Sequence, residues 1–588
     1  MIPLTRRGLL GKSLSVAGAA HIVSPGSALA QTHSAERRPR CNRMRTLEGV
    51  SGRHVEVWRI PGRFTKNPDL IRFPSGKMML VFCDVEKHWT EEISRITTLE
   101  SSDQGKAWGN PRVIAEADRR KGEERWVTPR LSLLSDGRLA IICDHDDYSH
   151  YHEDQPSGIW IWFSSDRGQT WSSPRLTGVP GLEPDRVVEL KDGTLLMASC
   201  MVFRDTQKEG MFLMRSSDGG ATWKDLTVIA KDEINNHTEG ALVVLSSGLL
   251  ACVMRNENQN GHSSFAAFSP DQGRTWSHPR PLPFLGDRPY AKELANGRVL
   301  VTYRNRCGNP GTHAWMGDLT RQSGHQIGGM HYGDELRLER DALHIRNRPE
   351  SFTRYILLPP ESYRSDVCME GSLRVTGPPD QPTAAMAVSR IGAAVEIASN
   401  AIWLRNERRP GGRPVIDSRH EADMTSFRTV RLLVRKGLLT VALDGQTVIS
   451  GVIRDERPLA ETWFGRAAEA QGDAWWRSLT YYAGNPSGAD HLWTWQAQLG
   501  EYPDQYQLDH MLELHANPPM GNHLRSPAGE NPILRTGRGR PDNGYSSWTE
   551  LPDGRIYMVD YTNKGDAPPT AHLYGVYFSP DDFGRSCA

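Results

Sequence analysis

Apolar and polar positions alternate along the chain in short runs separated by turn residues, the period expected of β-strands. Val55-Glu56-Val57-Trp58 alternates in this way. After it a unit recurs, two apolar runs flanking a turn that ends in glycine. The turns are Pro74-Ser75-Gly76, Ser135-Asp136-Gly137, Lys191-Asp192-Gly193, Ser246-Ser247-Gly248 and Ala295-Asn296-Gly297. Such turns between apolar runs predict hairpins. Four of the five are followed by the box S-x-D-x-G-x-x-W, starting at Ser101, Ser164, Ser216 and Ser269. The starts are 63, 52 and 53 residues apart. A recurrence near this length marks a blade-by-blade β architecture. In the box, Asp accepts hydrogen bonds from its own backbone, Gly tolerates positive φ, and Trp anchors the turn.

The rhythm then breaks. Residues 332–483 contain no box but are rich in alternating strands, among them Tyr355-Ile356-Leu357-Leu358, Val430-Arg431-Leu432-Leu433-Val434 and Leu439-Thr440-Val441-Ala442-Leu443. Asp444-Gly445 turns the last of these into Thr447-Val448-Ile449. The unit returns at Tyr545–Tyr557, with Leu551-Pro552-Asp553-Gly554 as its turn, and Ser579-Pro580-Asp581 reads as a truncated box. The expected fold is all-β: a six-bladed β-propeller with a jelly-roll-like, lectin-type β-sandwich inserted between the fifth and sixth blades. Blades one to five then occupy 31–331, the insert 332–483, and the sixth blade and closure 484–588. The strand at Val55–Trp58 is expected to close the ring against the last blade. Trp475, Trp476, Trp493 and Trp495, near the return from the insert, are read mainly as core.

Composition narrows the function classes. The 70 basic and 70 acidic residues balance, so no global field favours nucleic acid or an anionic membrane surface. The mean hydropathy is −0.54 and no long apolar run predicts a membrane span. Thr5-Arg6-Arg7-Gly8-Leu9-Leu10, a mildly apolar stretch from Leu14 to Ala20, and Ala28-Leu29-Ala30 occur in the order of a twin-arginine export signal. Residues 1–30 are therefore expected to direct the chain to the periplasm or the exterior. Of eight cysteines, Cys83, Cys143, Cys200 and Cys252 fall in apolar runs that follow turns, where free Cys acts as a small core residue. No C-x-x-C pair suggests zinc, and no cofactor or metal is expected.

Equivalent positions in a propeller ring one mouth. Nine residues before each turn glycine stand Asn67, Thr128, Pro184, Glu239, Arg288 and Tyr545. Seven residues after it stand Cys83, Asp144, Cys200, Arg255, Arg304 and Tyr561. This set concentrates Glu, Tyr, Asp and three arginines where side chains converge, as an anionic-ligand site requires.

The boxes, the six hairpins, the 16-residue step from Glu239 to Arg255, and Tyr545-Ser546 before Leu-Pro-Asp-Gly resemble the sialidase (neuraminidase) superfamily. The resemblance covers most of 55–320 and 540–580. It implies a retaining exo-glycosidase acting on a terminal carboxylated sugar, sialic acid or a related ulosonic acid. It implies Tyr545 as nucleophile, Glu239 as its base, and Arg255 as one of three clamps on the sugar carboxylate. A neutral Tyr suits this chemistry, because a carboxylate at the reacting centre repels an anionic nucleophile. The first clamp is spread over Arg59 (in Arg59-Ile60-Pro61), Arg63 and Lys66. The third is Arg304 or its neighbour Arg306, with Arg288 as substitute. The acid/base falls on the loop Asp84–Glu92, where Glu91 has the expected place and Asp84 is the fallback. Asp144 and His145 open a polar loop, Asp144–Asp154, beside the mouth. A glycan or glycoconjugate is thus the expected partner. Two other classes fit the residues: a propeller lyase on uronic-acid polysaccharides, and a propeller that binds glycans without turnover.

Overall fold

A computed structural model describes residues 43–586 apart from 89–91, 124, 145–150, 153–157, 233–234, 257–263, 306–309, 322–326, 333–334, 349–351, 358–365, 389–392, 407–417, 453–461, 468–469, 485–490, 504–507, 518–541 and 568–569. Six sheets, antiparallel apart from one parallel pair in blade five, form the propeller. Blade one consists of Phe64–Arg72, Met78–Val85, Ile93–Ser101 and Gly109–Asp118. Blade two consists of Arg130–Leu133, Leu139–Asp144, Ile159–Ser164 and Arg175–Leu176. Blade three runs from Val188–Glu189 through Leu195–Phe203 and Lys208–Ser216 to Lys224–Ala230. Blade four runs from His237–Val244 through Leu250–Asn256 and Phe265–Ser269 to Arg280–Pro281. Second strands lie almost wholly in the core; Met78–Val85 and Leu250–Asn256 are buried at every position. Such continuous burial fits strands covered on both faces by neighbouring blades.

The boxes form one turn four times. Ser101 Oγ donates to Asp103 Oδ1 (2.8 Å) and accepts the Gly105 N–H (2.9 Å), while the Ala107 N–H donates to Asp103 Oδ1 (3.0 Å). The Ser–Asp and Ser–Gly bonds recur at Ser164, Ser216 and Ser269 within 2.7–2.8 Å. Gly105 has φ 87°, and a Cβ there would come within 2.5 Å of the Tyr557 ring, so both conformation and space demand glycine.

Side chains at the inner strands stitch each blade to the next. Leu131 N–H donates to Asp69, Glu183 N–H to Asp144, and Leu242 N–H to Asp185. Arg288 N–H donates to Glu239, Ser546 Oγ to Thr302, and Ser547 Oγ to Asp69, which completes the circuit. Blade six consists of Asn543–Glu550, Ile556–Thr562 and His572–Phe578, and the N-terminal strand His54–Trp58 pairs with the last of these. The ring closes as the alternating pattern at 55–58 predicts.

The position of the insertion differs from expectation. In blade five, Asp287–Glu293, Val299–Asn305 and Gly311–Gly317 are followed by Met511–Ala516, which pairs with Gly311–Gly317. The chain therefore leaves between the third and fourth strands of blade five, not between blades five and six. The reason is pairing: Gly311–Gly317 has its next partner only at Met511–Ala516, and Arg43–Thr46 extends the same sheet in parallel. The boundary at 483 also moves. His491–Gln496 pairs with Asp473–Ala483 and belongs to the inserted sheets. Those strands form two antiparallel sheets, one containing Phe352–Leu357 and Trp463–Arg466, the other Val367–Thr376 and Asp473–Ala483. They share one core, where Tyr355, Met386 and Phe464 meet Leu432, Trp476 and Leu479. Trp476, Trp493 and Trp495 are buried, and Trp475 stacks on His344. The five cysteines among the described residues are all free thiols.

Candidate active site

The mouth is built from a repeated kink. Asn67, Glu183, Glu239, Arg288 and Tyr545 all have positive φ, between 47° and 64°. Register shifts mark β-bulges at four of these places. A bulge re-aims a side chain, and a non-glycine residue held there costs roughly 1–3 kcal/mol. Four of the five are the positions nine residues before a turn glycine. In blade three the kink falls one residue earlier, on Glu183 rather than Pro184. Pro184 in a ring of polar residues was the available signal, and the residue before it was overlooked.

This offset changes the pairing of the central tyrosine. Tyr545 Oη donates to Glu183 Oε1 at 3.0 Å. The expected partner, Glu239, accepts from Arg255 Nη1 (2.9 Å) and from the Arg288 N–H (3.0 Å) instead. Glu239 is thus drawn toward blades four and five by its charge partners. The Arg288 guanidinium lies over the Tyr545 ring at 4.0 Å from its centroid, and that of Arg130 at 5.5 Å. Arg288 also donates from Nη1 to the Glu183 carbonyl at 3.3 Å. It thus covers the tyrosine ring.

Burial pushes the Glu183 carboxyl up to about 8, and the negative charge of Glu239 adds to the rise. Burial also raises the Tyr545 phenol well above its usual value, opposed by Arg288. The two groups therefore share a proton-rich pair in the ligand-free mouth.

Arg255 and Arg304 converge, as the ring positions predict, but on a carboxylate of the chain itself. Asp287 Oδ1 lies 3.1 Å from Arg255 Nε, and Oδ2 lies 3.6 Å from Arg304 Nε. Arg304 Nη1 donates to the Asn543 carbonyl. The other candidates have structural partners. Arg63 Nε holds Asp84 at 2.7 Å, and Arg95 approaches the same carboxylate at 3.5 Å, so Asp84 is a buried ion-pair member rather than an open acid. Lys66 Nζ donates to the His88 carbonyl. Arg59 pairs with Glu56 and Asp566, which takes the Arg-Ile-Pro arginine to the outer part of blade six. Asp144 accepts the N–H groups of Thr128 and Glu183, and so fixes the loop that carries Glu183. Glu91, His145 and Arg306 lie outside the described residues.

One further constellation stands on this mouth. His88 Nδ1 is bonded to Asp542 Oδ2, and Tyr561 Oη donates to Asp542 Oδ1 at 2.8 Å. The imidazole is thereby oriented, burial lowers its own pKa despite Asp542, and the hydrogen bonds of His88 and Tyr561 with the charge of Arg304 help hold Asp542 down to about 2 against its burial. Elsewhere, Glu48, His54 and His515 bring possible metal-ligating atoms within 4.8 Å of one another. Glu48 is already bound there by Lys564, the Ala516 N–H and His515. That group reads as an anchored carboxylate.

Comparison with known proteins agrees with the repeat pattern. Residues 148–364 match the family model described as a BNR repeat-like domain. A sialidase of Paraclostridium sordellii is 23% identical over 248 residues, 37% of this chain and 60% of that protein. The repeat-bearing part of the chain is similar to the sialidase/BNR superfamily. The chain spans about 60% of the length of the curated sialidase it matches. Among solved structures, a Trypanosoma rangeli sialidase is similar at 11% identity and TM-score 0.36, covering 73% of this chain and 95% of that one. A protein of unknown function from Dyadobacter fermentans is similar at 18% identity and TM-score 0.41, covering 52% and 94%. A Penicillium chrysogenum α-L-arabinanase is similar at 16% identity and TM-score 0.35, covering 50% and 92%. The mouth of this chain carries Glu183 on the tyrosine and Asp287 between two arginines.

Proposed function

We propose that this protein is an exported retaining glycosidase of the sialidase type, with Tyr545 as nucleophile and Glu183 as the group that takes its proton. The observation that carries the reading is the 3.0 Å bond from Tyr545 Oη to Glu183 Oε1. A nucleophile and its base must stand within hydrogen-bond reach. In the first step the Tyr545 oxygen bonds to the anomeric carbon as the glycosidic C–O bond breaks. The phenolic proton passes to Glu183, and the leaving oxygen receives a proton from Glu91 on the blade-one loop. In the second step Glu91 takes a proton from water, which attacks the anomeric carbon. The C–O bond to Tyr545 breaks and Glu183 returns the proton.

The substrate in this reading is a terminal sialic or related ulosonic acid. Arg255, Arg288 and Arg304 bring three guanidinium groups to the mouth, and such forks suit one anionic sugar. Export rests on Arg6-Arg7 and the segment to Ala30; no helix among the described residues is long and apolar enough to cross a membrane. The test is a panel of fluorogenic sialic and ulosonic acid glycosides with wild type and Tyr545→Phe. Release by wild type and none by the variant supports the reading; full activity of the variant overturns it.

A second reading has one observation in its favour. The oriented His88, with Tyr561 on the same Asp542, suits proton abstraction from a uronic acid polymer by a lyase. An unsaturated product absorbing in the near ultraviolet would identify it.

A further inference from the structure

One cavity lies away from the mouth. A space of about 210 Å³ opens on the opposite face, between the turns of blades three and four. That is several times the roughly 30 Å³ that a water occupies in the liquid. Its lining includes Arg215, Ser217, Lys224, Asp225, Gln272 and Arg274. Three cations therefore face one carboxylate. Asp225 is exposed, and the neighbouring Asp271 is engaged by Ser269, Thr275 and the Arg274 N–H.

The cations are held without ion partners. Arg215 Nη2 donates to the Gln272 carbonyl (3.2 Å) and Arg274 Nη1 to the Gln272 side-chain oxygen (3.1 Å), so both guanidinium groups meet at one residue. Arg215 Nη1 is buried with no hydrogen-bond partner. None of Arg215, Lys224 and Arg274 forms an ion pair among the described residues. Burial and the nearby charge of Arg274 lower the pKa of Arg215, only partly offset by the charges of Asp225 and Asp271.

The box turn does not require these residues. Arg215 precedes its box serine, where the other boxes have Glu100, Phe163 and Phe268. Arg274 stands where they have Lys106, Gln169 and Ala221, and Lys224 where they have Gly109, Ser172 and Ser277. Only the adjoining third and fourth boxes bring two arginines and a lysine into one cavity. Arginine forks match planar and tetrahedral oxyanions, and Ser217 adds a hydroxyl.

We propose that this cavity is a second, non-catalytic site that binds an oxyanion, either the sulfate ester or the carboxylate of a glycan. It is independent of the reading given to the mouth. The test titrates the full-length protein with inorganic sulfate, a sulfated tetrasaccharide and an oligogalacturonide, by calorimetry at low and high salt. Lys224→Gln/Arg274→Gln is the matched variant; both side chains are exposed, so the fold is not at stake. Saturable, salt-sensitive binding that weakens at least about tenfold in the variant supports the site. Preference for the sulfated or the carboxylated sugar then assigns the source of the oxyanion. No saturable binding of any probe by wild type, or equal binding by the variant, overturns the proposal.

Discussion

Tyr545 and Glu183 are 362 residues apart in the chain, yet the phenol of one donates to the carboxylate of the other at 3.0 Å. Each sits on a positive-φ kink at the start of its blade. Two strained positions thus bring a phenol and a carboxyl group together across the mouth.

Glu183 and Glu239 separate by substitution. Glu183→Gln removes the proton acceptor and is expected to lower kcat by roughly 10²–10⁴ with little change in thermal midpoint. Glu239→Ala strips one of the two carboxylates that the buried Arg255 meets and is expected to destabilise the fold by about 1–3 kcal/mol. Steady-state kinetics and thermal melts on both variants check the division. A larger kcat loss in a folded Glu239→Gln than in Glu183→Gln would restore Glu239 as the base.

Activity and stability should respond to pH in opposite directions. Glu183 titrates near 8 in the folded chain against a reference of 4.5. The folded state therefore holds an extra proton between those values, and its stability falls as pH rises through that window. The base form, however, appears only as pH approaches 8, so kcat/KM should climb over the same range. A pH series of melts and initial rates tests this, and Glu183→Gln should flatten both slopes.

In the proposed reading, Asp287 competes for the two arginines that a substrate carboxylate would need. Asp287→Asn leaves Arg255 and Arg304 with less internal counter-charge. A several-fold lower KM for an acidic sugar is expected, with kcat nearly unchanged. A raised KM would mean that Asp287 positions the two forks rather than competing for them.

The box glycine is more demanding than the hairpin glycine. Gly105 and Gly137 have the same φ, 87°, but a Cβ at Gly137 meets nothing within 4 Å. Gly137→Ala should cost about 1 kcal/mol through backbone strain alone. Gly105→Ala must also displace the Tyr557 ring and should cost about 1–3 kcal/mol more. Chemical denaturation of the two variants provides the comparison.

What could be read from the sequence follows the range of the interactions. The boxes and hairpin turns are local hydrogen-bond patterns, so blade number and ring closure were legible. Counting back from each turn glycine found Tyr545, Arg288 and Glu239 because the bulges recur in register. It failed in blade three, where Pro184 sits at the counted place and the kink moves to Glu183. The insertion point was hidden because Met511–Ala516 carries no box and is defined by pairing with distant Gly311–Gly317. Asp287 went unnoticed because a ring that names clamp arginines says nothing about which carboxylate fills them.

The central claim is that Tyr545 attacks the sugar. The most direct measurement is trapping with a fluorinated sialosyl donor that slows release of a covalent adduct, followed by peptide mass spectrometry. The account predicts one fluorosialyl adduct, on the peptide containing Tyr545, and none in Tyr545→Phe. An adduct on another residue, or hydrolysis of sialosides without any adduct on Tyr545, would contradict it.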